Sequence, residues 1–237
     1  MNLKGKLYLI PTRLGDNPPL EVLPISIKKI IENLDDYIVE NEKTARRFIK
    51  RVSPSKSQPS LKIQVLNKYT TEAERNTFLD ACHDGTSVGL VSEAGCPAIA
   101  DPGADIVRLA HQMDIRVVPL VGPSSILLAL MASGMNGQSF TFNGYLPIDK
   151  AERKSKLKTL ERLSSENNQA QIFIETPYRN MKMLEDITTI LHPNTRVCIA
   201  CDLTLPSEFI KTKTSKEWKN NKEDLHKRPA IFIIQKD

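Results

Sequence analysis

Two runs of small residues hold the side chains best suited to enclosing a ligand. They are Val91-Ser92-Glu93-Ala94-Gly95-Cys96-Pro97-Ala98-Ile99-Ala100-Asp101-Pro102-Gly103 and Val121-Gly122-Pro123-Ser124-Ser125. Glycine lets backbone approach a bound molecule closely, and ligands of open α/β sheets sit where the carboxyl ends of strands open into loops. The two runs therefore mark a small-molecule site. A second reactive set, Glu40-Asn41-Glu42-Lys43-Thr44-Ala45-Arg46, follows the strand-like residues 37–39 and brings carboxylates toward the same edge. The alternative for Glu40 and Glu42 is capping of the helix that follows, since carboxylates near a helix start are stabilised by its free amides and dipole. Arg46 and Arg47 read equally well as a solvated helix face. Cys198-Ile199-Ala200-Cys201 spells C-x-x-C, but on a strand residues three apart face opposite sides, so the sulfurs do not share a partner. No second C-x-x-C completes a zinc site, and no metal is expected. Neither G-x-G-x-x-G nor G-x-x-x-x-G-K-[ST] occurs, which removes the dinucleotide and P-loop readings.

The elements that would position these residues alternate strand with helix. Residues 7–10 read as a strand, 25–34 as a helix, 37–39 as a strand and 45–52 as a basic helix, followed by a Pro- and Ser-rich loop at 53–60. Residues 62–66 form the next strand and 72–83 a helix ended by Asp84-Gly85; the strands 87–91 and 116–121 flank a helix at 105–114. That rhythm predicts a mostly parallel sheet. An apolar helix over 124–133 leads to longer, more alternating strands at 140–145, 171–176, 196–203 and 230–235, with a basic helix at 150–163, so the second sheet is expected to be mixed. The fold class is α/β, with two α/β domains, 1–121 and 122–237, and the small-residue loops in a cleft between them, where small molecules favour binding.

Length and composition are those of an ordinary globular protein with room for one large domain or two modest ones. The 237 residues are 40% hydrophobic and 26% charged, with four cysteines too sparse for a disulfide framework. The amino-terminal residues lack the apolar stretch of a signal peptide and no run is long enough to span a bilayer, so a cytoplasmic protein without a membrane partner is expected. The net charge of +5 is uneven: residues 1–64 carry 12 Lys+Arg against 7 Asp+Glu, 65–148 carry 4 against 8, and 149–237 carry 17 against 13. Basic flanks around an acidic middle suit a polyanion such as RNA as well as they suit plain solvated surface. The helix with Lys150, Arg153, Lys154, Lys156 and Lys158 is one candidate for RNA backbone contact.

In order along the chain, Leu7-Tyr8-Leu9-Ile10-Pro11-Thr12, Ser92-Glu93-Ala94-Gly95-Cys96-Pro97, Asp101-Pro102-Gly103, Val117-Val118-Pro119, Gly122-Pro123-Ser124, Gly144-Tyr145-Leu146-Pro147 and Glu175-Thr176-Pro177-Tyr178-Arg179 resemble the tetrapyrrole methylase superfamily. Within it the chain is most similar to the ribosomal small-subunit RNA 2'-O-methyltransferase I family. The resemblance implies a two-domain α/β methyltransferase, usually a homodimer, with S-adenosylmethionine as cofactor. Carried over position by position, it implies cofactor contacts at Pro11, Leu14, Ala94, Gly95, Cys96, Ile99, Ser124 and Ser125, and at Thr176, Cys201 and Ala230 from the second half. Ribosomal RNA or the small ribosomal subunit is the implied partner, with DNA not expected.

Methyl transfer to a ribose hydroxyl releases a proton, so a general base near the methyl group helps, whereas an activated ring carbon needs little such assistance. Glu40 and Arg46 are the candidates for this chemistry in the frame of the family's Ala-Glu-Asp-Thr-Arg segment, and Arg179 is the candidate for a phosphate. Asn41, Glu42 and Lys43 depart from that segment, and Gly15-Asp16-Asn17-Pro18-Pro19 departs from the family's first loop. Many members of the RNA branch continue beyond the last strand into a helical extension, where this sequence stops. Two alternatives therefore stand beside ribosomal RNA methylation: a methyltransferase acting on a tetrapyrrole or other small molecule, and a non-catalytic RNA- or ligand-binding relative.

Overall fold

The computed structural model describes residues 4–237; Met1, Asn2 and Leu3, the start of the stretch searched for a leader, lie outside the described residues. Two compact units make up the chain, Met1–Ser124 and Ser125–Asp237.

The first unit runs β1 (Lys6–Ile10), α1 (Pro19–Val22), α2 (Ile25–Asn33), β2 (Asp36–Val39), α3 (Glu42–Val52), β3 (Lys62–Val65), α4 (Glu72–Thr77), a 3-10 turn (Asp80–Asp84), β4 (Val88–Val91), α5 (Ala104–Gln112) and β5 (Arg116–Pro119). Its five strands are ordered β3-β2-β4-β1-β5, and every pairing is parallel. A parallel sheet buried on both faces needs apolar side chains on both, and the period of two divides them. Ile10, Tyr37, Val39 and Val91 pack with Ile27 and Ile31 of α2 and Phe48 and Ile49 of α3. Leu7, Ile38, Val88 and Leu90 turn the other way, onto Phe78, Leu79, Ile106 and Ala110.

The helix expected over 72–83 is interrupted. A capping box of Thr71 and Glu74 starts α4, which ends at Thr77, and the tighter 3-10 turn follows until Gly85 closes it at φ +85°. In a 3-10 turn residues three apart lie over one another, so Leu79 and Cys82 can both enter the core, where each has no exposed surface.

The second unit runs α6 (Ser125–Ser133), β6 (Phe140–Tyr145), α7 (Lys150–Asn167), β7 (Ala170–Glu175), α8 (Asn180–Ile190), β8 (Arg196–Cys201), β9 (Phe209–Thr214), α9 (Ser215–Trp218) and β10 (Ala230–Gln235). The order is β6-β7-β10-β8-β9, with β6 and β7 parallel and the remaining pairs antiparallel. The sheet is mixed, as expected. Its core joins Leu157 and Leu160 of α7, Met183 and Ile187 of α8 and Trp218 of α9 to Phe173, Ile199 and Phe232. One residue of the basic helix departs from its reading as RNA-facing. Arg153 is buried, donates to Asp186 Oδ2 from Nε at 2.8 Å and Nη2 at 2.6 Å, and reaches the Ile148 carbonyl at 2.7 Å. It ties α7 to α8.

Candidate active site

Parallel strands of matched register finish level with one another. Val91 pairs with Ile10 on one side and Val39 on the other, so Pro11, Glu40 and Ser92 begin three adjacent loops at one sheet edge. Short hydrogen bonds knit the loops together. The Thr12 amide donates to the Gly95 carbonyl at 2.9 Å, and the buried Ser92 hydroxyl donates to the same carbonyl at 2.6 Å. Gly95 stands at φ +78°, and Ala98 and Ala100 also adopt left-handed backbone, at +63° and +60°. A Cβ on Gly122 would lie 2.2 Å from Pro11 Cγ, so only glycine allows the loop after β5 to close on the loop after β1. The Cys96 thiol donates to the Pro123 carbonyl at 3.5 Å.

Beside these loops is a cavity of about 210 Å³. Its wall combines apolar Leu14, Ala45, Phe48 and Ala94 with the hydroxyls of Thr12 and Ser92 and with charges of both signs, Arg13, Asp16, Arg47 and Glu93. Arg13 donates to Asp16 at 2.7 Å and to the Asn17 carbonyl at 2.5 Å, and Arg51 also pairs with Asp16. Thr44 Oγ1 donates to Glu93 Oε1 at 2.6 Å, fixing one carboxylate of the wall.

Glu40 is half-buried within electrostatic reach of Glu93 and of Asp101. Burial first, then Asp101 and Glu93, push its carboxyl up to about 7. Asp101 is pushed up to about 6, by burial and then by Glu93. Glu40 Oε1 and Asp101 Oδ2 are buried with no hydrogen-bond partner among the described residues. Burial and like charge nearby both disfavour the ionised carboxylate, so Glu40 and Asp101 hold their protons to higher pH than exposed acids do. Glu40 does not cap α3; Asn41 does, accepting from the amides of Lys43 at 3.0 Å and Thr44 at 3.2 Å. The sequence pointed to Glu40 but not to Asp101 or Glu93 as its neighbours, because only the adjacency of β2 and β4 brings them together.

The other two candidate catalytic residues are engaged by the protein. Arg46 donates to Glu42 at 2.8 Å and to the Gln58 carbonyl at 2.5 Å, holding α3 against the segment before β3. Arg179 donates twice to Glu175 Oε1, at 2.9 and 2.5 Å, and the Glu175 side chain is almost wholly buried.

The candidate cofactor residues fall into two groups. Pro11, Leu14, Ala94, Gly95, Cys96 and Ile99 come together in the first unit; a Cβ on Gly95 would lie 3.1 Å from Leu14. In the second unit Ala230 pairs with both Glu175 and Cys201, which puts Thr176, Cys201 and Ala230 at one edge of β7, β10 and β8. Cys201 is buried in the helix-facing core and its thiol is pushed up to about 11, chiefly by burial. Ser124 closes the first unit and Ser125 opens α6.

Two α/β units with strand-end loops and an acid cluster define the class. The chain belongs to the tetrapyrrole (corrin/porphyrin) methylase family, whose model matches residues 24–218, and it is a methyltransferase. Among its relatives, the ribosomal RNA small subunit methyltransferase I of Escherichia coli O157:H7 is 28% identical over 99% of this chain and 79% of its own length. The protein of the same name from Vibrio cholerae is 30% identical over 86% of this chain and 67% of its own. The fold is that of the methyltransferase CobJ, with a TM-score of 0.63 at 14% identity over 98% of this chain and 94% of the other. It is also that of the cobalt precorrin-4 methyltransferase CbiF, with a TM-score of 0.61 at 16% identity over 97% and 94%. Among the described residues no helix is long and apolar enough to cross a membrane.

Proposed function

We propose that this protein transfers a methyl group from S-adenosylmethionine to a ribose 2'-hydroxyl of small-subunit ribosomal RNA, acting in the cytoplasm as a homodimer. The observation that carries the chemistry is the half-buried Glu40 carboxyl, raised to about 7 beside a cavity whose wall bears both charges and hydroxyls. The acceptor class is drawn from the relatives named for small-subunit RNA.

The loop of Ala94, Gly95, Cys96 and Ile99, with Pro11 and Leu14, suits the donor: it offers small apolar side chains and backbone, which a purine, a ribose and a methionine chain can follow closely. Thr176, Cys201 and Ala230 are proposed donor positions of the second unit, Cys201 through its backbone because its side chain is buried, and Ser124 and Ser125 are proposed with them. When bound, S-adenosylmethionine supplies an electrophilic methyl group on sulfonium sulfur. Glu40 would accept the proton that the acceptor hydroxyl gives up on methylation. A base with a value near the working pH is ionised often enough to act and basic enough to accept the proton. Burial sets that value first, and Asp101 and Glu93 raise it further. Arg46 and Arg179 serve as positioning residues, Arg46 by holding α3 in the cavity wall and Arg179 by neutralising buried Glu175.

The test is calorimetric titration with S-adenosylmethionine, followed by transfer of labelled methyl into small ribosomal subunits from a strain lacking this protein. Binding with label in RNA is expected. Binding with label only in a tetrapyrrole precursor would replace the acceptor, and no binding at high micromolar would remove the enzyme reading.

A further inference from the structure

We infer that Arg47, with Lys43 one turn before it, is the group through which this chain holds a phosphate of its RNA acceptor; the inference rests on the acceptor proposed above. Among the described residues the other arginines of this region are engaged. Arg13 and Arg51 share Asp16, and Arg46 is taken by Glu42 and the Gln58 carbonyl. Of the acids, Asp16 and Glu42 are held by those arginines, and Glu93 accepts from Thr44. Arg47 lines the cavity and is exposed, yet its guanidinium has no hydrogen bond or ion pair among the described residues. Lys43 is likewise unpaired through its side chain among those residues. Four residues apart on α3, the two cations share one helix face, where like charges repel.

Lys43 also lies in the first turn of α3, where the helix dipole disfavours a positive charge. Neither charge is there to hold the helix together. Both gain if an anion enters the cavity, and a guanidinium in fork geometry is the natural partner of a phosphate. Thr44 and Phe48, beside the two cations on α3, line the same wall, and Thr44 donates to Glu93 at 2.6 Å, so Arg47 and the Glu93 carboxylate border one cavity. Arg47 would act on acceptor binding alone and leave the donor untouched.

The experiment compares full-length wild type, Arg47→Gln, Arg47→Lys and the double variant Lys43→Gln/Arg47→Gln. Two quantities are measured with unmethylated small ribosomal subunits: the KM for methyl transfer, and the salt dependence of binding. Arg47→Gln is expected to raise KM about tenfold with kcat within twofold and with unchanged S-adenosylmethionine affinity. The slope of log K against log salt should become shallower by about one at most, most of it in the single variant and the whole of it in the double, because the two cations share one phosphate charge. Arg47→Lys, which keeps the charge, should retain most of the slope. Arg108→Gln, a surface cation paired with Asp105 at 2.7 Å, should change none of these. An unchanged KM and slope in Arg47→Gln, with wild type active, would overturn the inference, as would an equal defect in Arg47→Lys accompanied by a lowered Tm. A wild type that binds S-adenosylmethionine but labels no RNA would overturn the acceptor reading itself.

Discussion

A carboxyl that folding makes harder to ionise records itself twice, once in activity and once in stability. Glu40 at about 7 and Asp101 at about 6 both lie above the usual carboxylate range, so folding favours their neutral forms. Their contribution to stability is complete below the unfolded values near 4 and is lost as the pH rises through 6 to 7. Glu40→Gln keeps the shape without the charge. It is expected to raise Tm above pH 7, leave Tm near pH 4 unchanged, and lower kcat by about 10²- to 10⁴-fold, the usual range for a missing general base. In wild type, kcat/KM should rise with pH through about 7. Asp101→Asn, which removes a neighbouring acid, should move that inflection to lower pH. Identical profiles in wild type and Asp101→Asn, or a Glu40→Gln enzyme of wild-type rate, would remove Glu40 from the chemistry. Glu40 was legible in the sequence as a carboxylate after a strand. Its companions were not, since Glu93 and Asp101 are far along the chain and meet it only through the pairing of β2 with β4.

At the scale of elements, hydrophobic period and loop chemistry located most strands and helices, and the failures have physical causes. β9 (Phe209–Thr214) was missed because Lys211 and Lys213 alternate with threonine along an edge strand, a pattern that reads as polar surface and that guards a sheet edge against pairing. α8 (Asn180–Ile190) lacks a side-chain cap and follows a 3-10 turn, so its start carries no cue in the sequence. α7 was legible as basic, but not its exception. Arg153 and Asp186 keep only 7% and 4% of their side-chain surface exposed, and removing one partner strands the other charge. Arg153→Ala is expected to destabilise the protein by about 3–5 kcal/mol in urea unfolding. Lys154→Ala, on the same helix but only partly buried, should stay within about 0.5 kcal/mol. Equal effects would mean that the buried pair does not brace α7 against α8.

At the scale of the molecule, the sequence spoke more clearly of the donor than of the acceptor. Loops that hug a ligand need particular backbone, and backbone demands glycine, proline and small residues that leave a mark in sequence. A surface that receives RNA needs only charge, which basic solvated helices mimic, so Arg47 could not be separated from Arg46 until their partners were known. Self-association has a similar ambiguity. α6 is apolar around its circumference, and Leu127 and Met131, one turn apart, are 50% and 80% exposed. Surface of that kind is commonly an interface. Met131→Glu is expected to convert a dimer in sedimentation analysis to a monomer; wild type already monomeric at micromolar concentration would remove the homodimer.

The alanines at 98 and 100 have a consequence of another kind. Left-handed backbone costs an L-residue about 1–2 kcal/mol, a cost that glycine would escape. The loop after β4 is therefore held under tension by the rest of its unit, as a sprung clip is held by its frame. A molecule that fits the tensioned shape meets it already ordered and forfeits little chain entropy on docking. Affinity at this loop and the cohesion of the first unit are then thermodynamically linked: whatever softens the frame slackens the clip.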